Sequence, residues 1–245
     1  MIRKLALLGA GLSGMLFAGE AARQKVQISK TERIEFVMGG TLRLNNSTGE
    51  LTVEGWDRPE VEITTVRSTT GEYSPEERAA EERRLERIHV TAHRDGNELT
   101  ITTDYPGRHV VPVLLGSTPG FSLEYRIKAP LNTKLVAEHG VGEVHVDDLT
   151  GDINVTACEG AITLHLPEDG RYSVQAKSNL GGVISDFADQ ERRRFWLIGH
   201  RMETPDSAGT HKLNLRIGSG DILILKIRIP KTAQIGGAAA KADGA

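Results

Sequence analysis

Hydrophobic and polar residues alternate along much of this chain, in short units that each start with a glycine. Each unit is a glycine, a mostly polar residue, and two aliphatic residues separated by one that is usually polar. The clearest units start at Gly40, Gly49, Gly142, Gly151, Gly160 and Gly220. Gly40 and Gly49 lie nine residues apart, and so do successive members of the group Gly142, Gly151 and Gly160. This pattern predicts a turn followed by a short strand with one buried face.

A unit this short cannot bury its apolar face alone, so we expect neighbouring units to stack. Each unit is predicted to form one rung of a coil, with successive rungs paired through backbone hydrogen bonds. The residues predicted to point inward are Leu42, Leu44, Leu51, Val53, Val144, Val146, Ile153, Val155, Ile162, Leu164, Ile222 and Ile224. Their polar neighbours, which are Glu143, His145, Asp152, Asn154 and Thr163, are predicted to face solvent. A closed coil and two stacked sheets both satisfy this alternation.

One segment departs from the strand pattern and predicts a short inserted helix at about 75–87. Ser74 is a good N-cap, Pro75 suits the first helical position, and Glu77 lies three residues after the serine. The segment is rich in Ala, Glu and Arg, so we expect a solvated helix whose end, at Leu85 and Ile88, returns to the sheet. The predicted fold class is all-β, a single β-solenoid or stacked-strand repeat domain with this one helix.

Two glycine turns are predicted to separate neighbouring strands. Asp95-Gly-Asn97 is typical of a tight hairpin turn. Gly218-Ser-Gly220 is predicted to be a turn between a strand at 211–217 and another at 221–229.

Composition agrees with a narrow aliphatic core that has many turns. The 245 residues include 27 glycines, only 4% of them are aromatic, and one large all-β domain accommodates the whole length. A net charge of −3 does not indicate a nucleic-acid partner. Cys158 is the only cysteine, so no intramolecular disulfide or cysteine metal cluster can form, and we expect it to be a half-buried apolar residue.

The N-terminus has the features of a secretory signal peptide at residues 1–21. Arg3 and Lys4 precede an uncharged apolar run at 5–18, and small residues at Gly19 and Ala21 allow cleavage before residue 22. An uncleaved membrane anchor is the alternative. We therefore predict an exported protein, periplasmic or at the cell surface or extracellular. The solenoid domain is predicted at 22–230, followed by a disordered tail at 231–245.

Acidic residues suggest one site to test for metal binding. Glu50, Glu143, Asp152 and Asp221 each follow a repeat glycine, and stacked rungs would align them in a column. Ala161 interrupts that column, and calcium-binding repeats need a paired glycine and an aspartate at a fixed offset. We predict no metal and no cofactor.

Catalytic motifs do not stand out in the sequence. A polysaccharide lyase or hydrolase of β-helical fold would use Asp147, Asp152 or Asp186, held about 5–10 Å apart in pairs. The histidines at 145 and 165 lie in repeats and are expected at the surface. A basic segment, Arg192-Arg-Arg194, could contact an anionic lipid or polysaccharide, although one short basic cluster is more often a solvated loop.

The chain resembles the bacterial DUF4097 family of candidate adhesins. The resemblance rests on the signal peptide, on the segment from Gly49 to Val61, on the glycine repeats at 142–166, and on the closing Gly218-Ser-Gly-Asp-Ile222. It would cover about Val26 to Ile229 and implies a β-solenoid-like fold. The family brings no established catalytic residues with it.

The leading hypothesis is a non-enzymatic envelope protein that presents a repetitive β surface for adhesion or scaffolding. Its expected partners are envelope polysaccharide or other envelope proteins, and self-association is a further expectation. The alternatives are the lyase or hydrolase described above and a self-assembling scaffold whose end rungs pair between molecules. We expect no nucleic-acid partner, and contact with a membrane only through an uncleaved N-terminal segment.

Overall fold

The computed structural model describes residues 23–105, 120–187, 199–204 and 209–227. Within these residues the chain forms one 13-stranded mixed sheet and a single helix, α1 (Pro75–Glu86). The strands are β1 (Gln27–Glu35), β2 (Thr41–Ser47), β3 (Glu50–Trp56), β4 (Glu60–Thr69), β5 (His89–Asp95), β6 (Glu98–Asp104) and β7 (Phe121–Pro130), then β8 (Lys134–Asp147), β9 (Ile153–Pro167), β10 (Tyr172–Leu180), β11 (Val183–Ser185), β12 (His200–Glu203) and β13 (His211–Ile227). The all-β solenoid class is confirmed. The predicted signal peptide at 1–21 and the predicted tail at 231–245 lie outside the described residues.

The sheet is built from rungs that have two halves. The first halves are β6, β2, residues 134–139 of β8, 153–158 of β9 and 211–217 of β13, and then β10, all parallel to their neighbours. The second halves are β7, β3, residues 143–147, 161–167 and 221–227 of the same long strands, and then β11, again parallel. Antiparallel strands extend both ends of the stack: β5 pairs with β6, β4 and β1 extend from β7, and β12 pairs with β10.

A corner separates the two halves of each long strand. In β8 the buried hydrophobic residues are Leu135 and Ala137 before the corner and Val144 and Val146 after it, so the inward positions change from odd to even numbers between them. In a straight strand this change would turn the second set to the opposite face. Because the strand bends there, both sets belong to one hydrophobic core.

The nine-residue unit is half a rung, and the prediction of one rung per unit is wrong. Gly142 pairs with Gly160 on the neighbouring strand, which makes one full rung about 18 residues long. Gly151 lies between the two strands, where a Cβ would come within 2.1 Å of the Thr133 carbonyl oxygen. The predicted turn at Gly218-Ser-Gly220 is likewise the corner of one continuous strand, β13.

Stacked corners form a ladder of glycines through the sheet. Its members are Gly49, Gly142, Gly160, Gly220 and Gly181, and all have positive φ, from 96° to 146°. A Cβ on Gly160 would come within 1.8 Å of the Gly142 carbonyl oxygen, and one on Gly220 within 1.7 Å of the Gly160 oxygen. Glycine is therefore required at these corners both by backbone conformation and by the close approach of the next rung.

The rungs do not stack in chain order, contrary to the prediction that successive rungs pair. β10 follows β9 in the chain, yet β13, the last strand of the described residues, lies between them. In the same way, β2 and β3 lie between β8 and the earlier rung formed by β6 and β7.

The core follows the predicted alternation. All twelve residues predicted to point inward are at most 1% exposed. Burying an aliphatic side chain of this size stabilises the fold by about 1.5–3 kcal/mol. The inner faces of both halves therefore supply the main stabilisation of the solenoid.

The inserted helix α1 spans Pro75–Glu86, which confirms the prediction to within one residue. The backbone N–H of Ser74 donates to Glu77 Oε2 at 3.0 Å, and this bond contributes to lowering the pKa of Glu77. Leu85 and Ile88 are each 1% exposed and join the helix end to the core, as predicted. Among the described residues, no helix is long and apolar enough to cross a membrane.

Candidate functional site

The outward side chains of the solenoid form rows that run across its strands. Because neighbouring strands are in register, residues at equivalent positions lie side by side, about 4.8 Å apart. We call the outward residues of the first halves the first face and those of the second halves the second face. On the first face, Asn154, Asn214 and Gln175 form one such row of amides on β9, β13 and β10.

An acidic row lies on the second face, but it differs from the predicted column. Glu124 pairs with Glu50, and Glu143 lies level with Glu50 on the next strand. Asp221 is level with Glu143 but separated from it by Ala161, as the sequence indicated.

Asp152 does not belong to this row, so its place in the predicted column is wrong. It precedes β9 on the first face, and its Oδ1 accepts a hydrogen bond from the Lys212 N–H at 2.9 Å. The nine-residue spacing placed it on the other half of the rung. In the described part of the chain, no group of three or more His, Cys, Asp or Glu side chains is arranged to hold a metal ion.

Two of the three aspartates considered for glycoside chemistry, Asp147 and Asp186, are far apart. Asp147 pairs with His165 on β9, which pairs with Leu225 on β13, and Asp186 follows β11 at the level of Leu225. Two strands therefore separate Asp147 from Asp186, a distance of about 14 Å. Glycosidases hold their paired carboxyls about 5–10 Å apart.

The aspartates at 152 and 186 also have structural partners. Asp186 Oδ2 accepts a hydrogen bond from the Lys226 N–H at 3.0 Å, much as Asp152 caps the strand that contains Lys212. Asp147 Oδ1 lies 2.6 Å from His165 Nδ1 on the second face. Asp147 and Asp186 therefore do not converge on one groove.

The other surface histidine in a repeat, His145, lies beside an acidic neighbour. Its Nε2 is 3.1 Å from Glu143 Oε2, and both side chains are on the second face. His145 and His165 are half-buried on the outside of the sheet, where the sequence placed them. Both are local side-chain contacts, His145 with Glu143 along its own strand and His165 with Asp147 on the neighbouring strand.

The sequence reasoning missed a buried histidine at the corner of β8. His139 is 3% exposed and faces the core; its Nδ1 lies 2.9 Å from Ser47 Oγ and its Nε2 lies 3.1 Å from the Gly49 carbonyl oxygen. Because a carbonyl can only accept, Nε2 carries the proton and Nδ1 accepts from the serine. Burial lowers the pKa of His139 to about 4. The inward alternation of Leu135 and Ala137 extends to position 139 and could have revealed it.

A second unpredicted feature is Asp148, which follows β8 with a φ of 59°. Its Oδ1 is buried without a hydrogen-bond partner among the described residues. Burial raises the pKa of this carboxyl, with Asp147 and Glu54 adding to the effect. Its backbone carbonyl approaches Gly55 so closely that a Cβ there would lie 2.5 Å from the oxygen. Asp148 thus serves a tight turn between rungs.

Cys158 is exposed, and the prediction of a half-buried residue is wrong. It follows Ala157, which is buried, and therefore points outward on the first face. The basic segment Arg192–Arg194 lies outside the described residues.

Within the described part of the chain, the polar groups form open rows, an arrangement suited to contact with an extended partner.

The comparison with known families identifies the fold. The model of the family described as Toastrack DUF4097 matches residues 19–225. The chain belongs to this family. The resemblance inferred from the glycine repeats is thereby confirmed, together with the β-solenoid-like Toastrack fold.

Solved structures similar to this Toastrack chain come from several bacteria. One is a candidate cell adhesion protein from Clostridium sporogenes, 16% identical with a TM-score of 0.48, covering 82% of this chain and 100% of that one. Another is a candidate adhesin from Bacteroides fragilis, 13% identical with a TM-score of 0.29, covering 82% and 97%. No curated protein matches the chain.

Proposed function

We propose that this Toastrack protein is exported to the envelope and acts there without catalysis, presenting its outer β rows for adhesion or scaffolding. The observation that carries the proposal is the alignment of outward polar side chains into rows across successive rungs. The row of Asn154, Asn214 and Gln175 is an example on three adjacent strands. Such rows offer a partner many equivalent contacts rather than one enclosed site.

Repeated weak contacts suit a polymer or a surface. A partner with its own regular repeat can engage several positions of a row at once, and each added contact raises the overall affinity. Enzymatic turnover would instead need converging groups in a concave site. Asp147 and Asp186 are separated by two strands, and this separation supports a protein that acts without catalysis.

The experiment is a binding assay with one variant on each outer face. Thr156→Glu changes the first face and Thr163→Glu the second, and both lie on β9. Purified wild type and variants are tested against whole cells, envelope polysaccharide and matrix, and far-ultraviolet circular dichroism checks that each variant is folded. Fractionation of the producing cells tests export in parallel.

We expect saturable binding that one of the two variants reduces, which would also identify the face in use. Absent binding, or binding that neither variant alters, would contradict an adhesive role of these rows. Light scattering at several concentrations separates adhesion from self-assembly, because a protein that assembles through its end rungs grows in mass with concentration.

A further inference from the structure

Charges on the outer rows alternate in sign in some places and share one sign in others, as in the acidic row of Glu124, Glu50 and Glu143. Opposite charges side by side on neighbouring strands stabilise a sheet, and like charges destabilise it. One alternating row on the second face consists of Arg33, Glu62, Lys128 and Glu54. Another on the first face consists of Lys134, Asp152 and Lys212.

A row of three cations lies on the first face, opposite in sign to that acidic row. Arg216 on β13 pairs with Lys177 on β10, and Lys177 pairs with Arg201 on β12. All three are exposed. Arg201 is ion-paired with Glu203 along its own strand, whereas Lys177 and Arg216 have no carboxylate within ion-pair distance among the described residues. We call these three residues the basic row.

The basic row borders a recess and the amide row. The recess has a volume of about 270 Å³ and is lined by the three cations together with Gln175, Asn214 and Glu203. Three cations face one carboxylate there, so the recess carries a positive surplus. The amides of Asn214 and Gln175 can both donate and accept hydrogen bonds.

We propose that the basic row and its amide neighbours bind an anionic polysaccharide. The cations would pair with its carboxylate, sulfate or phosphate groups, and the amides would bind its hydroxyls. The linear arrangement at about 4.8 Å spacing suits a polymer that lies across the strands. No aromatic side chain among the described residues lines the recess, so the stacking surface that single-stranded nucleic acids use is missing there.

This inference rests on the proposed adhesive function and specifies its ligand class and face. The test is titration of the purified chain with alginate, which carries carboxylates, and with dextran sulfate. Neutral dextran, inorganic phosphate and a single-stranded DNA oligonucleotide are measured beside them. The variant K177Q/R216Q removes the two cations that have no ion pair with any described residue. Its matched control, K134Q/K212Q, removes two cations from the alternating row of the same face.

We expect saturable binding of alginate or dextran sulfate, weakened at least about tenfold by K177Q/R216Q and less than about twofold by the control. The double variant K177R/R216K, which keeps both charges, should bind within about threefold of wild type. Added salt should weaken the wild-type complex more than the K177Q/R216Q complex, because fewer charge contacts remain in the variant.

Cys158 provides a reporter on the same face. It lies two residues along β9 from Thr156, which pairs with Arg216, so an attached fluorophore is within about 10 Å of the basic row. Its emission should change as alginate saturates the protein, at the concentration found by titration. The probe leaves the basic row itself unaltered.

Several results would overturn the inference. They are no binding of either polyanion, equal weakening by K177Q/R216Q and by its control, and equal binding of the DNA oligonucleotide. Binding of free phosphate as tight as that of the polymers would show a small-anion site instead. If cells or neutral glycans bind and only Thr163→Glu reduces that binding, the adhesive function holds while the basic row is excluded as its site.

Discussion

We expect His139 to make the solenoid sensitive to acid. The ring lies in the core at the corner of β8, neutral, with hydrogen bonds to Ser47 and to the Gly49 carbonyl oxygen. Burial lowers its pKa from 6.5 to about 4. Between these two values the unfolded chain binds a proton that the folded chain does not, so stability falls as the pH falls from 6.5 toward 4.

The magnitude follows from the difference in pKa. One pKa unit corresponds to about 1.4 kcal/mol. Lowering the pKa of His139 from 6.5 to about 4 therefore gives a total loss of stability of about 3 kcal/mol once the pH is below both values. At pH 4.5 most of the effect is present, and we expect this histidine alone to reduce the free energy of unfolding by about 2.5 kcal/mol relative to pH 7.5.

Urea unfolding followed by circular dichroism at pH 7.5, 6.5, 5.5 and 4.5 measures this effect. Other groups also contribute to the pH dependence in this range. The useful quantity is therefore the difference in free energy of unfolding between wild type and His139→Gln, whose glutamine cannot take up a proton. The variant loses packing at neutral pH, but its disadvantage should shrink by about 2.5 kcal/mol at pH 4.5. The control, His93→Gln, removes an exposed ring on β5 and should follow the wild-type curve.

The reasoning would be refuted if the free energies of unfolding of wild type and His139→Gln differed by the same amount, within about 0.5 kcal/mol, at every pH from 7.5 to 4.5. It would mean that the ring is hydrated or already protonated in the folded protein. The same conclusion would follow if His93→Gln removed as much of the acid sensitivity as His139→Gln.

Three further predictions concern the corner, the helix and the thiol. Gly160→Ala should lower the free energy of unfolding by about 3 kcal/mol or more, because of the φ of 129° at Gly160 and the nearby Gly142 oxygen. The control Gly96→Ala, where a Cβ has no neighbour within 4 Å, should lower it by about 1 kcal/mol. Equal shifts in the urea midpoint of the two variants would contradict the requirement for glycine at the stacked corners. Leu85→Ala should lower the free energy of unfolding by about 3 kcal/mol in the same urea assay. A loss below about 1 kcal/mol would mean that α1 is not anchored in the core. Cys158 should react with Ellman's reagent in the native state, and reaction only after unfolding would show that it is buried.

Local alternation was enough to predict which side chains form the core. Val144, Val146, Ile162 and Leu164 each lie two residues apart in their strands, and sheet geometry sends such pairs to the same face. The capping residues around Ser74 were likewise sufficient to place the helix. These features depend only on neighbours in sequence.

Features that depend on distant partners could not be read in this way. Gly142 and Gly151 look equivalent in sequence, yet only Gly142 lies at a stacked corner, because the bend is defined by the neighbouring rung. The position of β13 between β9 and β10 is likewise set by long-range pairing. The assignment of Asp152 to the acidic column failed for the same reason.

The candidate surface was predictable only in part. Outward positions such as Asn154 followed from alternation, but the basic row joins residues from β13, β10 and β12 that are distant in sequence. Cys158 was placed wrongly because its apolar character was given more weight than the alternation of Val155 and Ala157, which sends position 158 outward. Register between strands, rather than strand content, was the missing information.

The most direct test of the central proposal is a glycan and envelope-fraction binding assay on the purified chain that also follows the fate of the bound glycan. Binding is measured with calcium and with chelator, and the glycans are then recovered and sized. We predict saturable binding, unaffected by the chelator, with every glycan recovered intact. Shortened glycans or unsaturated elimination products that increase with time would contradict a non-catalytic role and show that the chain is an enzyme.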